Sequence, residues 1–504
     1  MVNQFSQNPN IFPFAAIFIG CLILLLGCMA PTSAAEFRAG TAAVQITPPN
    51  GTPMAGYFSA RGSEGVLDNL YAKATVFDDG KMKVALVSCD LINLPRQLVE
   101  EARRIVAGKT GIPESHVMIS ATHTHTGPAV VGGSSLDDLV TGSSKVSRQY
   151  ARELPDKIAQ AVVEANGRLT PALISFASRN EPDMSFIRRF WMKDGTVGWN
   201  PGKLNPNIIR PIGTIDPQVN VVYVETAGSK PAAKNDEMAA DGSHHVEASN
   251  RRPLLTYVNF PLHLDTTGGL LISADFPATL ARRLGEYKGA EMLTLFANGT
   301  CGNINHLNVN WAVGQTSPEE AGRLGTILAA AVLKSYMDLK NVGDVTLRVR
   351  REVVGLPLAR FSDEELRKAR EIAARNYANT PLLEMAKTYR ILDTVAQKGK
   401  PIAVEIQVIT LGRDIAWVAL PGEVFVELGL SIKAVSPFRQ TNVIELANGA
   451  EYYIPNRSAY TEGQYEVVST PYAEGAGEML VTTAAQLLAE LNREAGGSLA
   501  GKPD

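Results

Sequence analysis

The chain has 504 residues, 45% of them hydrophobic and 20% charged, with a formal net charge of −3. That near-neutral balance, without a long run of like charge, excludes a chain built around nucleic-acid or polyanion binding, and the length is ample for a large buried core. Of the four cysteines, Cys21 and Cys28 lie in an apolar leader, which excludes a disulfide framework and leaves Cys89 and Cys301 either bridged or free, with Cys89 expected as a buried thiol in a strand.

Ile11 to Gly27 is apolar but short and interrupted for a membrane span, and Ser33-Ala34-Ala35 before Glu36 fits a signal-peptidase site. Leu25-Leu26-Gly27-Cys28 is similar to a lipoprotein box, although Leu at its second position and the lack of Lys or Arg before Arg38 depart from the usual pattern. Residues 1–35 are therefore expected to be a signal peptide or lipoprotein leader, and the protein to be exported: periplasmic, on the cell surface or secreted. Anchored and released forms both stand.

Phe37 to Pro49 reads as a first strand. Leu70 to Phe77 and Val84 to Asp90, joined by Asp78-Asp79-Gly80, read as a hairpin. A helix from about Pro95 to Ala107 follows, with Leu98, Ala102, Ile105 and Val106 at helical spacing. It leads to the apolar run Val117-Met118-Ile119-Ser120-Ala121, so strand, helix and strand form a βαβ unit with a parallel pair. A helix over Ser147 to Ala165, a strand over Ala172 to Ala177 and the segment Phe186-Ile187-Arg188-Arg189-Phe190 come next. Residues 228–252 are polar and read as a surface insertion, with His244 and His245 as solvated loop histidines. Leu254 to His263 is an apolar strand ending in histidine, Asp275-Phe276-Pro277 opens a helix, and Met292 to Phe296 is a buried strand. Its sequel, Gly299-Thr300-Cys301-Gly302-Asn303, is a turn whose backbone N–H groups could face an oxyanion. Ser317 to Glu320 and Ser362 to Glu365 are capping boxes that open two further helices. Val404 to Leu411 and Ile415 to Ala419 form a hairpin that runs straight into Leu420-Pro421-Gly422-Glu423. A last strand over Val443 to Leu446, a tyrosine-rich loop to Tyr472 and a helix ending near Glu494 complete the chain, with 496–504 expected as a flexible tail. The fold expected is α/β, with mixed, largely parallel sheets and flanking helices in a single large catalytic domain over residues 36–495.

Thr122-His123-Thr124-His125-Thr126 closes one of these strands before Gly127-Pro128. Side chains two apart on extended chain share a face, so His123 and His125 can aim at one spot beyond a strand's carboxyl end, where ligand sites of such sheets lie. Three strands thus end in His123/His125, in His263 and in Glu423. Two histidines and a carboxylate around an open position suit a hydrolytic zinc site with a proton acceptor beside it. The plainer alternatives are a hydrogen-bonded core histidine at His263 and a helix-dipole carboxylate at Glu423.

Ile119-Ser120-Ala121-Thr122-His123-Thr124-His125-Thr126-Gly127-Pro128 resembles the ISATHTHSGP signature of the neutral (non-lysosomal) ceramidases. Gly40 to Pro48, Met54-Ala55-Gly56-Tyr57, Asn259-Phe260-Pro261-Leu262-His263, Leu420-Pro421-Gly422-Glu423 and the tyrosine-rich block from Asn448 to Glu466 resemble further family segments in the same order. The resemblance implies zinc (Zn2+) held by His123, His263, Glu423 and Tyr453, with His125, Arg188 and Tyr465 around the reacting carbonyl. Tyr452 beside Tyr453 and Arg189 beside Arg188 leave a one-residue choice at each place. It further implies cleavage of an N-acyl amide such as ceramide, with peripheral or lipid-anchored membrane association.

The resemblance breaks at two points. The family's G-D-V-S-P-N is Gly302-Asn303-Ile304-Asn305-His306-Leu307 here, so its proposed serine nucleophile is Asn305, and the likeness ends near residue 495 without the family's C-terminal immunoglobulin-like domain. The chemistry expected is therefore attack by zinc-activated water with His125 as proton acceptor, rather than a serine acyl-enzyme. Two other classes stand beside it: a related zinc hydrolase acting on a non-lipid amide or ester, and a non-catalytic exported binding protein that keeps the fold.

Overall fold

Strands that are apolar on both faces need cover on both, and the order of elements supplies it. The computed structural model describes residues 36–57, 60–130, 144–228, 250–375, 377, 379–449 and 452–496. The expected leader, nearly all of the expected insertion (with His244 and His245) and the tail beyond residue 496 lie outside the described residues. From Phe37 onward the chain forms one compact unit. Among the described residues no helix is long and apolar enough to cross a membrane.

The main strands and helices are β1 (Arg38–Gln45), β2 (Tyr71–Asp78), β3 (Lys83–Cys89), α1 (Arg96–Thr110), β4 (Val117–Ala121), α2 (Lys145–Gly167), β5 (Thr170–Asn180), β6 (Gln218–Thr226), β7 (Pro253–Phe260), α3 (Phe276–Lys288), β8 (Leu293–Asn298) and α4 (Pro318–Ser335). They are followed by β9 (Leu347–Leu356), α5 (Asp363–Ala374), α6 (Leu382–Ala396), β10 (Ile402–Leu411), β11 (Ile415–Ala419), α7 (Val426–Val435), β12 (Gln440–Ile444) and α8 (Ala476–Glu494). The large sheet has the order β8-β7-β6-β5-β1-β2-β3-β4, and the second sheet the order β9-β10-β11-β12.

The fold is mixed α/β, as expected, but the large sheet is less parallel than the sequence suggests. Parallel pairing is confined to β3–β4 (Ala85↔Val117 to Cys89↔Ala121) and β7–β8 (Leu255↔Leu293 to Phe260↔Asn298), while the strands between them pair antiparallel. Parallel neighbours need a crossover connection, which α1 supplies between β3 and β4 and α3 supplies between β7 and β8. The two parallel pairs sit at opposite ends of the strand order, yet those ends meet. Ser88 Oγ on β3 donates to Phe296 O on β8 at 2.5 Å, and Asn298 Nδ2 at the end of β8 donates to Thr122 O just past β4 at 3.2 Å. The sheet therefore curls, and its curl brings the histidine-bearing ends of β4 and β7 together.

Alternation along each strand divides the core. Leu86, Met118, Phe176, Val222, Leu255 and Leu295 pack against Leu347, Ile409, Leu411, Trp417 and Ile444 of the second sheet. Facing the other way, Val87 and Ile119 meet α1 and α2 through Val99, Ala102, Leu154 and Ile158, and Val258 and Phe296 meet α3 and α4 through Phe276, Leu280, Leu324 and Leu328. The outer face of the second sheet, with Ile406, Val408 and Val418, is covered by α7 and α8 through Ile432, Leu480, Leu487 and Leu491. Asn448 joins the sheets: its N–H donates to Ile119 O at 2.7 Å, its Oδ1 accepts from Ile119 N at 3.0 Å, and its Nδ2 donates to Gln407 Oε1 at 2.8 Å.

Candidate metal centre

Past β4 the chain leaves the ladder at His123, which adopts φ 80°, a conformation that costs a non-glycine residue energy and persists only where its surroundings fix it. The His123 N–H donates to Leu91 O at 2.8 Å and its Nδ1 lies 3.0 Å from Ile92 O, so backbone contacts hold both ends of the residue. Thr124 and Leu264 then form an isolated parallel bridge, with the His125 N–H on Leu264 O at 2.9 Å. The flanking residues of such a bridge face one side. This sets His123 beside His263 and His125 beside Asp265. Thr124 and Thr126 turn the opposite way, where both hydroxyls donate to Ser273 O at 2.7 and 3.1 Å. Asn298 clamps the two histidine loops, donating to Thr122 O and to Leu262 O and accepting from Leu262 N. Asp275 holds the backbone N–H groups of Thr266 and Thr267 at 3.0 and 2.9 Å, which fixes the chain just beyond His263.

The imidazoles converge. His123 Nε2 lies 3.1 Å from His263 Nε2 and 3.4 Å from His125 Nε2, and the three histidines form a cluster able to hold a metal ion. Glu423 Oε2 is buried without a well-formed hydrogen bond, 3.3 Å from His123 Nε2 and 3.9 Å from His263 Nε2. Gly56 O lies 3.0 Å from His125 Nδ1, and Cys301 Sγ lies 3.7 Å from His263 Nδ1. With their Nδ1 atoms turned to these outer partners, the rings aim Nε2 lone pairs at one another and at a carboxylate oxygen. Two ligands about 2.0–2.1 Å from a tetrahedral zinc stand roughly 3.4 Å apart, close to the spacings here. An orphaned carboxylate oxygen, lone pairs facing inward and outer contacts on each ring fit a divalent metal.

Charges follow the geometry. Burial and the neighbouring His123 lower the His125 pKa to about 4, and burial with the same neighbour holds His263 well below the usual imidazole range. Burial opposes the charged form of His123, but Glu423 reverses this and raises it. Burial also works against Glu423 ionising, yet His123, Tyr453 and Arg188 keep its carboxyl below the ordinary value.

At both one-residue choices in the sequence, one partner faces the centre. Glu423 and Tyr453 are Cα partners in a short parallel pair, which sets Tyr453 beside the Glu423 carboxyl, whereas the Tyr452 hydroxyl turns to Asp393 Oδ2 at 2.7 Å. Arg188 faces Tyr453, its guanidinium 5.6 Å from that ring, and donates to Gly302 O at 2.6 Å and to Glu466 Oε1 at 2.8 Å. Arg189 approaches the same carboxylate from the other side, donating to Glu466 Oε2 at 2.7 Å, and continues to Glu462 and Gly463 O. Tyr465 packs edge-on to Tyr453 at 5.5 Å between centroids and lies against Trp199 at 4.6 Å. The structure thus brings His123, His125, His263, Glu423, Tyr453, Arg188 and Tyr465 into one neighbourhood.

The turn at 299–303 corrects another expectation. Its Gly299, Cys301 and Gly302 N–H groups bond Phe260 O, Glu445 Oε2 and Val424 O, so they serve the fold and not an oxyanion. Gly302 is required by close approach, since a Cβ there would stand 2.6 Å from Glu423 O. Asn305 is buried and shapes the loop, donating to Asn200 Oδ1 at 3.0 Å and accepting from Leu307 N at 3.1 Å. Cys89 and Cys301 are free and buried.

Several groups escaped the sequence reading. Glu445, fully buried behind Glu423, accepts from Cys301 Sγ at 2.8 Å and from the Cys301 and Val424 N–H groups, and burial pushes its pKa up to about 8. A carboxylate inside the apolar run Val443-Ile444-Glu445-Leu446 is itself a signal, because such burial needs a compensating role. Glu466, the shared partner of two arginines, and the pair Asp265–His306 carried no local signal.

Residues 37–190 match the family model described as neutral/alkaline non-lysosomal ceramidase, N-terminal. The chain is similar to the neutral ceramidase of Pseudomonas aeruginosa, 25% identical over 235 residues that make up 44% of this chain and 32% of that relative. The match thus spans about a third of the relative's length. Among solved structures, neutral ceramidase from Pseudomonas aeruginosa superposes with a TM-score of 0.68 at 18% identity, covering 93% of this chain and 77% of that one. A ceramidase complexed with C2 gives 0.67 at 17% identity with the same coverage. At such identities these likenesses concern the fold. The chain carries the N-terminal signature of the neutral/alkaline non-lysosomal ceramidase family and has the fold of a neutral ceramidase.

Proposed function

We propose that this protein is a zinc-dependent amidohydrolase that cleaves an N-acyl amide, with a ceramide-like lipid as the leading substrate. The observation that carries the reading is the convergence of His123, His125 and His263 on one spot, with Glu423 Oε2 within 3.3 Å of His123 Nε2 and 3.9 Å of His263 Nε2. The family match over residues 37–190 and a curated relative named neutral ceramidase support the substrate class. Export, read from the N-terminal stretch, and peripheral contact with a membrane belong to the same proposal.

His123, His263, Glu423 and Tyr453 would hold the metal, because Glu423 Oε2 approaches the first two and Tyr453 pairs with Glu423. Zinc held there would supply a Lewis acid that makes water easier to deprotonate. His125 Nε2 receives the proton of the attacking water, since Gly56 O engages Nδ1 and leaves Nε2 free to accept. Burial keeps that ring neutral at the outset, and Asp265 beside it favours the imidazolium once the proton arrives. Arg188, fixed by Glu466 and Gly302 O, and the Tyr465 hydroxyl face the developing oxyanion, where one donor is worth about 3 kcal/mol. The proton on His125 then passes to the departing nitrogen.

Metal analysis of the purified protein with a screen of N-acyl amides tests the reading. About one zinc per chain is expected, lost with activity on chelation. His263→Ala should lose metal, whereas His125→Ala should keep metal and lose turnover. Full activity without a transition metal would end the proposal, and equal metal loss in both variants would overturn the division of roles.

A further inference from the structure

The register that sets His123 beside His263 also sets His125 beside Asp265, on the same face of the Thr124–Leu264 bridge. Asp265 is not a passive neighbour. Its Oδ1 lies 2.9 Å from Nδ1 of His306, whose ring is 1% exposed and rests its Nε2 3.4 Å from Thr316 Oγ1. His306 is thereby locked in place, and it locks one oxygen of Asp265. Among the described residues His306 is the hydrogen-bonding partner of that carboxylate, which keeps 23% of its side chain exposed next to His125 and Tyr57. His306 follows Asn305, where the chain parts from the family's serine–proline pair. Asp265 Oδ1 is thus a fixed, partly exposed acceptor beside His125, a placement that suits recognition.

We propose that Asp265, oriented by His306, is a further substrate-contacting residue that selects the amine half of the substrate, accepting a hydrogen bond from a hydroxyl near the scissile nitrogen and repelling leaving groups that carry a carboxylate. The assignment rests on the amidohydrolase reading for its place beside the reacting atoms. The carboxylate offers a charge-assisted acceptor, worth about 10- to 100-fold in discrimination against a partner without the donor. A substrate carboxylate brought to the same spot meets like charge in a partly desolvated site, which rejects it through an unfavourable contact. His306 acts through Asp265 and is a positioning residue.

The test uses uncleavable ligands, so that it does not depend on turnover. Secondary amines sharing one alkyl chain, namely N-alkyl ethanolamine, N-alkyl ethylamine and N-alkyl glycine, are titrated calorimetrically into the full zinc-loaded chain and its variants. The wild-type chain is expected to bind the ethanolamine about 10-fold more tightly than the ethylamine, and the glycine derivative most weakly. Asp265→Asn should collapse both differences and His306→Gln should reduce them, with urea unfolding used to verify that each variant is folded. A wild-type chain that does not discriminate, an unchanged order of affinities in Asp265→Asn, or an equal loss for all three ligands would each overturn the assignment. A parallel screen with the matching N-acyl amides separates the two claims. Absence of cleavage with the binding pattern intact removes the amidohydrolase reading alone, and cleavage with affinity ratios that ignore Asp265 removes this one alone.

Discussion

Glu466 is the most informative residue to perturb. Its carboxylate is 0% exposed and receives Arg188 Nε on one oxygen and Arg189 Nη1 on the other, at 2.8 and 2.7 Å, with both guanidiniums also buried. Truncation to Ala would leave two buried cations short of a partner, a situation that costs about 3–5 kcal/mol. Arg188 retains Gly302 O, and Arg189 retains Glu462 Oε2 and Gly463 O. These remaining acceptors place the expected cost of Glu466→Ala in the lower part of that range, about 3–4 kcal/mol. Equilibrium urea unfolding reads it as a lower midpoint with an unchanged slope. Glu462→Ala is the internal control, since Glu462 accepts from Arg189, which keeps Glu466 and Gly463 O after its loss, so that loss should cost about 1 kcal/mol. Because Arg188 faces Tyr453, amide hydrolysis should fall in Glu466→Ala but not in Glu462→Ala. A stability loss below about 1 kcal/mol for Glu466→Ala would refute the idea that this carboxylate holds the arginine pair in place.

Other residues give sharp expectations. A Cβ at Gly56 would lie 2.6 Å from His125 Nδ1, and φ there is +96°, so Gly56→Ala should displace the ring and cut hydrolysis about 100-fold with a modest loss of stability, as comparison of initial rates and urea midpoints will test. Asn305→Ala should retain activity within about 100-fold, and mass spectrometry of the enzyme trapped mid-turnover should find no acyl adduct. An adduct on Thr300 or Cys301 would instead show a nucleophile in the loop. In metal-free protein, Glu445 is a carboxyl raised from 4.5 to about 8, so the folded state binds the extra proton between those values and stability falls as pH rises through that window. Glu445→Gln should flatten that limb of the pH–stability curve, and an unchanged slope would show that Glu445 is already ionised.

Much of the centre was legible because it obeys local rules. His123 and His125 sit two apart at the end of an apolar strand, and Glu423 follows β11 directly, so periodicity and strand ends pointed to all three. The βαβ unit of β3, α1 and β4 was equally local, as were the Ser317 and Ser362 helix caps. What stayed hidden depends on chain segments far apart. The curl that brings β8 against β4 rests on Ser88 reaching Phe296 and Asn298 reaching Thr122, contacts that no strand pattern encodes. Asp265 and His306 are 41 residues apart, and each alone is an ordinary polar residue in a loop. Strand β9 escaped notice because it is an edge strand with Arg350, Arg351 and Glu352 exposed, which dilutes its apolar signal. The choice between Tyr452 and Tyr453 needed the pairing with Glu423, a matter of register.

The candidate ligands come from both sheets, and this has a consequence for the order of folding. His123 and His263 are separated by 140 residues and meet only after the large sheet has curled, while Glu423 and Tyr453 arrive with the second sheet. Contacts so distant in sequence are slow to form, because the entropy of closing long loops precedes any return from the contact. A nascent chain that has completed only the large sheet presents imidazoles without their carboxylate. On the proposed assignment of the ligands, metal uptake during refolding would time the joining of the two sheets.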